Sequence, residues 1–128
     1  MPARPAWQEP KEAICSTPSC LIVIHTTSRQ LELYEENRLI QHCPIAVGKV
    51  ATPTPHGRYT IATKTAYPGD IFGTHLLGLS IPHYGIHGTN NPSSIGQAVS
   101  KGCIRMHNHD VENLFQHVEI GTPVIIQC

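Results

Sequence analysis

The run YGIHGTNNPSSIGQAVSKGCIRMHN, from Tyr84 to Asn108, contains two reactive side chains, those of His87 and Cys103. His87 stands directly before Gly88, and Cys103 follows sixteen residues after that histidine. The residues between them are rich in Gly, Asn, Pro and Ser, which favour turns. Both reactive groups are therefore predicted where regular structure gives way to a loop, a common position for functional residues on a rigid scaffold.

The residues around the cysteine suit nucleophilic chemistry. A cysteine attacks as a thiolate, and a nearby His87 could take the thiol proton. Gly102 lacks a Cβ, so a substrate could approach the backbone N–H of Cys103, which could then help to form an oxyanion hole. Arg105 could hold a carboxylate or brace the loop. The pattern predicts Cys/His acyl transfer, but a small core cysteine and a strand histidine fit these residues about as well.

A zinc site is the other chemistry that these residues suggest. Cys103, His107 and His109 lie close in sequence, and His83 precedes His87 by four residues. Cysteine and histidine are zinc ligands. The spacing C-x-x-x-H-x-H is not typical of a structural zinc site, so we predict no functional metal.

Length and charge restrict the class of protein. A chain of 128 residues is long enough for one domain with its own core. Nine Lys and Arg balance nine Asp and Glu, which argues against a nucleic-acid-binding protein or a polybasic membrane-surface protein. No apolar run is long enough to span a bilayer. The first twenty residues lack the charged-then-apolar layout of a signal peptide.

The pattern along the chain predicts an N-terminal arm over residues 1–19 and one domain over residues 20–128. In LELYE, from Leu31 to Glu35, apolar and polar residues alternate as in a half-buried strand. Glu36 and Asn37 are predicted to form a tight turn. Strands are predicted over residues 21–26, 31–35, 38–47, 58–64 and 122–127.

One helix is predicted to begin near Asn108, which could serve as its N-cap. Apolar residues then recur at helical spacing and should face the core: Val111, Leu114, Phe115 and Val118. Many short strands with Gly and Pro turns and a single short helix after Cys103 predict a mainly β, β-sandwich-like domain.

The runs HGTNNPSSIG and SKGCIRMHN resemble the active-site signature of the L,D-transpeptidases of the YkuD family. That signature is a His-Gly pair, a spacer, and then Ser/Thr-x-Gly-Cys-apolar-Arg-apolar-x-Asn/Asp. Lys101 stands where many members have histidine. With LELYE and TPTPHGRY, the resemblance extends over roughly residues 20–127. The matching positions are His87, Gly88, Ser100, Gly102, Cys103, Ile104, Arg105, Met106 and Asn108.

The resemblance implies a YkuD fold and a cysteine-dependent L,D-transpeptidase that needs no cofactor. Cys103 would attack the third residue of a peptidoglycan tetrapeptide stem, release D-Ala and form a thioester, which an amine of a second stem would resolve. His87 would be the base, held by the carbonyl of Gly88. Substrate-binding or loop-orienting residues would be Arg105, Ser100, Gly102, Asn108 and Tyr84.

Other readings stay open from the sequence. Water as acceptor would make the protein an L,D-carboxypeptidase, and a non-catalytic wall-binding module could keep the same fold. The resemblance also implies inhibition by carbapenem β-lactams. We expect a monomer that works in the cell wall or in a spore envelope. Apart from Cys103, free thiols are favoured over a disulfide framework at Cys15, Cys20, Cys43 and Cys128.

Overall fold

The computed structural model describes residues 19–128, except for the side chain of Asp70. The arm predicted over residues 1–19 therefore lies outside the described residues apart from Ser19, and it stays a prediction. The described part contains one α-helix, α1 (Asn108–His117), and nine strands: β1 (Cys20–His25), β2 (Gln30–Glu35), β3 (Arg38–Gly48), β4 (Gly57–Ala66), β5 (His75–Leu79), β6 (Gly85–His87), β7 (Ala98–Ser100), β8 (Ile104–Met106) and β9 (Pro123–Gln127). The prediction of a mainly β domain with one short helix is confirmed.

The strands form one sheet that closes on itself. Their order is β2-β1-β9-β4-β5-β6-β8-β3-β7, and an additional pairing joins β2 to β3. The two longest strands pass from one half of the sheet to the other. The start of β3 pairs with β2 and its end with β8 and β7, while β4 pairs first with β9 and then with β5. Two halves of the sheet are thereby joined through β3 and β4, consistent with the sandwich-like prediction.

The core lies on the inward face of these strands. The alternation in LELYE is realised as predicted, because Leu31 and Leu33 are fully buried while their neighbours are half-buried. Glu36 and Asn37 form the connecting turn with φ values of 50° and 68°. Positive φ at both central residues is typical of the two-residue hairpin turn that matches strand twist.

Helix α1 packs the predicted apolar face against the core. Val111, Leu114 and Val118 are fully buried, and Phe115 packs against the same cluster. The prediction that Asn108 caps the helix was wrong, because His107 occupies the N-cap position and Asn108 is the first helical residue. The Asn108 side chain is instead bound to two loops beside the sheet.

Four strands were not predicted: β5, which precedes the stretch from Tyr84 to Asn108, and β6, β7 and β8, which lie within it. Strands β6, β7 and β8 contain three residues each, too few to show a period of two. The pairing of β6 with β8 inside the closed sheet brings the two reactive segments together. Among residues 19–128, no helix is both long and apolar enough to cross a membrane.

Candidate active site

The parallel pair β6 and β8 places the histidine and the cysteine segments side by side. Ile86 pairs with Ile104, and His87 pairs with Arg105. Side chains alternate between the two faces of a strand. Ile86 and Ile104 point into the core and are almost fully buried. His87 and Arg105 therefore lie on the opposite face, and Cys103, two residues before Arg105, extends this face.

His87 is held in a fixed orientation. Its side chain is buried, with 4% of the residue exposed. The ring atom Nδ1 lies 2.6 Å from the carbonyl oxygen of Gly88. The edge of the Phe72 ring contacts the imidazole in a T-shaped arrangement, with 5.1 Å between ring centroids. The imidazole thus has one nitrogen bound to the backbone and one aromatic neighbour that limits its rotation.

This hydrogen bond determines which ring nitrogen carries the proton in neutral His87. A carbonyl oxygen only accepts hydrogen bonds, so Nδ1–H must be the donor to Gly88. In the neutral ring, Nε2 then keeps its lone pair and can accept a proton. The geometry therefore makes His87 a candidate general base through Nε2.

Cys103 is half-buried directly before β8. Its Sγ atom lies 3.8 Å from the carbonyl oxygen of His83, a residue with a left-handed φ of 72°. Among residues 19–128, no hydrogen bond joins this sulfur to His87. Catalytic hydrogen bonds are often long or absent before substrate binds, so the unpaired arrangement fits a resting state.

The pKa values of this pair favour uncharged groups. Burial raises the pKa of the Cys103 thiol, opposed by the backbone of Gly85 and by the charge of Arg105. Burial also lowers the pKa of His87, opposed by the Gly88 carbonyl and reinforced by Arg105. Both shifts favour a thiol beside a neutral imidazole over a thiolate–imidazolium ion pair.

Arg105 brings a permanent positive charge to the same face. Its side chain is half-buried, and its charge is felt by both Cys103 and His87. Among the side chains described between residues 19 and 128, no carboxylate forms a salt bridge with it. The guanidinium is therefore able to pair with an anionic group of a ligand.

The segment before the cysteine is held by its own hydrogen bonds. Ser100 is 1% exposed; its Oγ donates to the carbonyl of Cys103 at 2.6 Å and accepts from the N–H of Gly102 at 3.0 Å. Gly102 has a φ of 121°, and a Cβ there would lie 2.5 Å from the Tyr84 ring. These contacts give Ser100 and Gly102 a loop-orienting role, and a direct contact of Ser100, Gly102 or Tyr84 with substrate stays a prediction.

Asn108 joins the loop after the histidine to the loop before β5. Its Oδ1 accepts hydrogen bonds from the N–H of Thr74 at 3.2 Å and of Thr89 at 3.1 Å, and its Nδ2 donates to the carbonyl of Thr89. A Cβ at Gly88 or Gly73 would collide with this amide oxygen. The packing around His87 therefore requires glycine at position 88. Contact of Asn108 with substrate remains a prediction.

Two contacts within the site were not predicted from the sequence. Phe72 packs on the His87 ring although it is fifteen residues away in sequence. Thr54 is buried and donates a hydrogen bond to the carbonyl of Gly102 at 2.9 Å. The TPTPHGRY motif contains Thr54 and was the available signal, but nothing in it indicates which loop the threonine reaches.

Among residues 19–128, the thiols and histidines outside this face form no comparable site. Cys20, Cys43 and Cys128 are free thiols, as Cys103 is, and burial raises the pKa of Cys43 to about 12. Within residues 19–128, no three or more His, Cys, Asp and Glu side chains are arranged to hold a metal ion. The rings of His107 and His109, weighed above as zinc ligands, stack on each other with centroids 5.5 Å apart.

Comparison with known proteins identifies the family of this chain. A family model described as YkuD, L,D-transpeptidase catalytic domain, matches residues 20–126. The YkuD protein of Bacillus licheniformis is 55% identical over 105 residues, which is 82% of this chain and 64% of that relative. The chain thus spans a little under two thirds of that curated relative.

Solved structures share the fold. An L,D-transpeptidase from Mycobacterium smegmatis has a TM-score of 0.78 at 19% identity, covering 87% of this chain and 59% of its own. The catalytic domain from the Enterococcus faecium L,D-transpeptidase, solved by NMR, has a TM-score of 0.73 at 23% identity, covering 84% of this chain and 95% of its own. With the match of the family model over nearly all described residues, these similarities show that the chain belongs to the YkuD family of L,D-transpeptidase catalytic domains.

Proposed function

We propose that this domain transfers peptidoglycan stem peptides through a thioester on Cys103. The thiol sulfur attacks the carbonyl carbon of the third residue of a tetrapeptide stem, and the bond to the terminal D-Ala breaks. The thiol proton passes to His87 and then to the departing amine of D-Ala. An amine of a second stem attacks the thioester, forms the new peptide bond and returns the proton to the thiol.

The observation that carries the proposal is the tautomer of His87 beside the cysteine segment. Nδ1–H is used by the Gly88 carbonyl, so Nε2 is left as a base on the face of the sheet that Cys103 extends. Because burial favours the uncharged form of both groups, the thiol needs a base to remove its proton for attack. His87 therefore acts as a general base during attack, not as the permanent partner of a thiolate.

Arg105 supplies the recognition of an anion. Its guanidinium lies on the same face as His87, and stem peptides end in a carboxylate. A planar guanidinium can bind a carboxylate with two parallel hydrogen bonds, which fixes its orientation as well as its position. We therefore propose that Arg105 binds a carboxylate of the substrate.

Replacing Arg105 with lysine should reduce kcat/KM for a stem tetrapeptide by about 10- to 100-fold, the effect of losing one hydrogen bond between charged groups. The melting temperature should change little, because lysine keeps the charge and most of the aliphatic side chain. Arg38→Lys, at the exposed start of β3, is the matched control. If the melting temperature and the rate of Arg105→Lys both fell to a similar degree, the role of Arg105 would be to stabilise the fold rather than to bind substrate.

The acylation rate should follow the neutral form of His87. Because burial lowers the pKa of His87 below its ordinary value of about 6.5, the midpoint of the fall in rate on the acid side should lie below pH 6.5. The rate of adduct formation with a carbapenem, followed from pH 4 to 8, measures this acid side of the pH profile. An inflection at or above pH 6.5 would contradict the assignment.

Carbapenem inhibition is part of the proposal. A related structure, with a TM-score of 0.73, is an L,D-transpeptidase in complex with imipenem. A strained lactam carbonyl would acylate the same Cys103 thiol. We also propose that the protein acts in the cell wall or in a spore envelope, because its substrate would be found there.

The reaction products distinguish transfer from hydrolysis. Purified protein would be incubated with a tetrapeptide stem alone and together with a second stem that carries a free side-chain amine. A transpeptidase yields D-Ala and a cross-linked dimer when the acceptor is present. Release of D-Ala with only tripeptide in both reactions would favour the L,D-carboxypeptidase. Intact tetrapeptide in both reactions would favour a non-catalytic wall-binding module.

A further inference from the structure

A buried threonine reaches the nucleophile loop from a distant segment. Thr54, 6% exposed, lies in the loop between β3 and β4. Its Oγ1 accepts from the N–H of Gly48 at 2.9 Å and donates to the carbonyl of Gly102 at 2.9 Å. The hydroxyl therefore connects the end of β3 to Gly102, the residue directly before Cys103. Thr54 and Gly102 are 48 positions apart in the sequence.

A second threonine of the same loop makes a parallel contact. The Oγ1 of Thr52 donates to the carbonyl of Ser100 at 3.0 Å. Pro53 and Pro55 follow the two threonines, and proline fixes φ near −65°. The segment lies directly against β3, since a Cβ on Gly48 would be 2.6 Å from the backbone nitrogen of Thr54. A stiff TPTP segment, Thr52–Pro55, thus holds two alternate carbonyls of the cysteine loop.

The Thr54 contact fixes the peptide plane that carries the N–H of Cys103. The described chain has no cis peptide bond. In a trans peptide the C=O and the following N–H point in opposite directions. Because the Gly102 carbonyl points to Thr54, the N–H of Cys103 must point away from Thr54. The carbonyl of Cys103 is held separately by Ser100.

We propose that Thr54 is a positioning residue for acyl transfer, which acts by setting the direction of the Cys103 N–H toward the oxyanion of the reacting carbonyl. The inference rests on the proposed function of Cys103. Oxyanion stabilisation requires donors already aimed at the developing charge. If the peptide between Gly102 and Cys103 could rotate freely, the loop would keep its thiol, but the Cys103 N–H would no longer point at the oxyanion. Thr52 supports the same loop from its outer end.

The test compares two reactions of the same thiol. Acylation by imipenem requires the oxyanion donor, whereas alkylation by iodoacetamide forms no oxyanion and requires only an accessible, ionisable sulfur. Thr54→Val keeps the shape of the side chain and removes the hydroxyl; Thr54→Ser restores it. Thr122→Val is the matched control, because the Thr122 hydroxyl accepts from the N–H of Glu119 in a turn before β9.

We expect Thr54→Val to acylate on the order of 100-fold more slowly, the scale of a misplaced catalytic group, while alkylation of Cys103 stays within a few-fold of wild type. Thr54→Ser should recover most of the acylation rate. Thr52→Val should show a smaller loss in the same direction and remains informative if Thr54→Val does not fold. Thr122→Val should acylate at the wild-type rate.

Other outcomes overturn the inference. An unchanged acylation rate in Thr54→Val removes the positioning role, and an equal fall in acylation and alkylation makes Thr54 a general structural residue. Amide hydrogen exchange over residues 100–104 is measured in parallel and should increase in Thr54→Val but not in Thr54→Ser. If wild-type protein forms no imipenem adduct, the proposed function fails, and the exchange result alone decides whether Thr54 holds the loop.

Discussion

Replacing Cys103 with alanine should abolish both turnover of stem tetrapeptide and formation of a carbapenem adduct. In the proposed reaction the sulfur forms the thioester, and no other side chain described on this face is a nucleophile of equal strength. The fold should survive, because Cys103 is half-buried and its sulfur makes a long contact with the His83 carbonyl and one contact with the backbone of Gly85. The expected loss of stability is about 1 kcal/mol.

The other described thiols provide the controls for this variant. Cys128→Ser changes an exposed residue and should keep the wild-type rate. Cys43 is a poorer control, because it is 3% exposed and serine there would bury a hydroxyl. Turnover and melting temperature are measured for each variant. Residual turnover in Cys103→Ala above the background of a mock purification would reject Cys103 as the nucleophile.

Replacing His87 with alanine should slow acylation by a factor on the order of 10²–10⁴, the range for loss of a general base. The loss should be large because the raised pKa of Cys103 leaves little thiolate at neutral pH. In the variant, attack would depend on spontaneous ionisation of the thiol. Its acylation rate should therefore rise with pH through the neutral range, where the wild-type rate is nearly constant.

Two further variants separate the base from the packing of the ring. His87→Gln fills most of the volume beneath Phe72 and should be as slow as His87→Ala if proton transfer is what is lost. His109→Ala removes an imidazole that is 80% exposed at the start of α1 and should acylate normally. Stopped-flow acylation at several pH values measures all three. A rate for His87→Gln near wild type would show that His87 does not act as the base.

The fold was predictable where a pattern lasts long enough to be periodic. LELYE alternates over five residues, and the apolar residues from Val111 onward repeat at helical spacing, so β2 and α1 were found close to their observed limits. Strands β6, β7 and β8 are three residues long, and only pairing with distant strands makes them strands. The residues of these short strands do not indicate which distant strands they pair with.

The sequence indicated which residues meet on this face of the sheet but not their electrostatics. The resemblance to the YkuD signature singled out His87, Cys103 and the Gly88 carbonyl, and their catalytic roles stay predictions. The neutral resting state follows from burial, which depends on Phe72 and on the closed sheet. The true partners of Asn108 could not be read from the sequence either, because a helix-start asparagine suits an N-cap as well as a tertiary hydrogen bond.

The most direct measurement is the intact mass of the protein in an acid-quenched reaction with stem tetrapeptide, followed by peptide mapping. Formation of a Cys103 thioester predicts a transient species whose mass equals the protein plus the stem minus D-Ala, with the added mass on the peptide that contains Cys103. Cys103→Ala should show no such species. Turnover of tetrapeptide by wild-type protein with no adduct at any quench time, or with an adduct confined to another residue, would contradict a Cys103 acyl-enzyme.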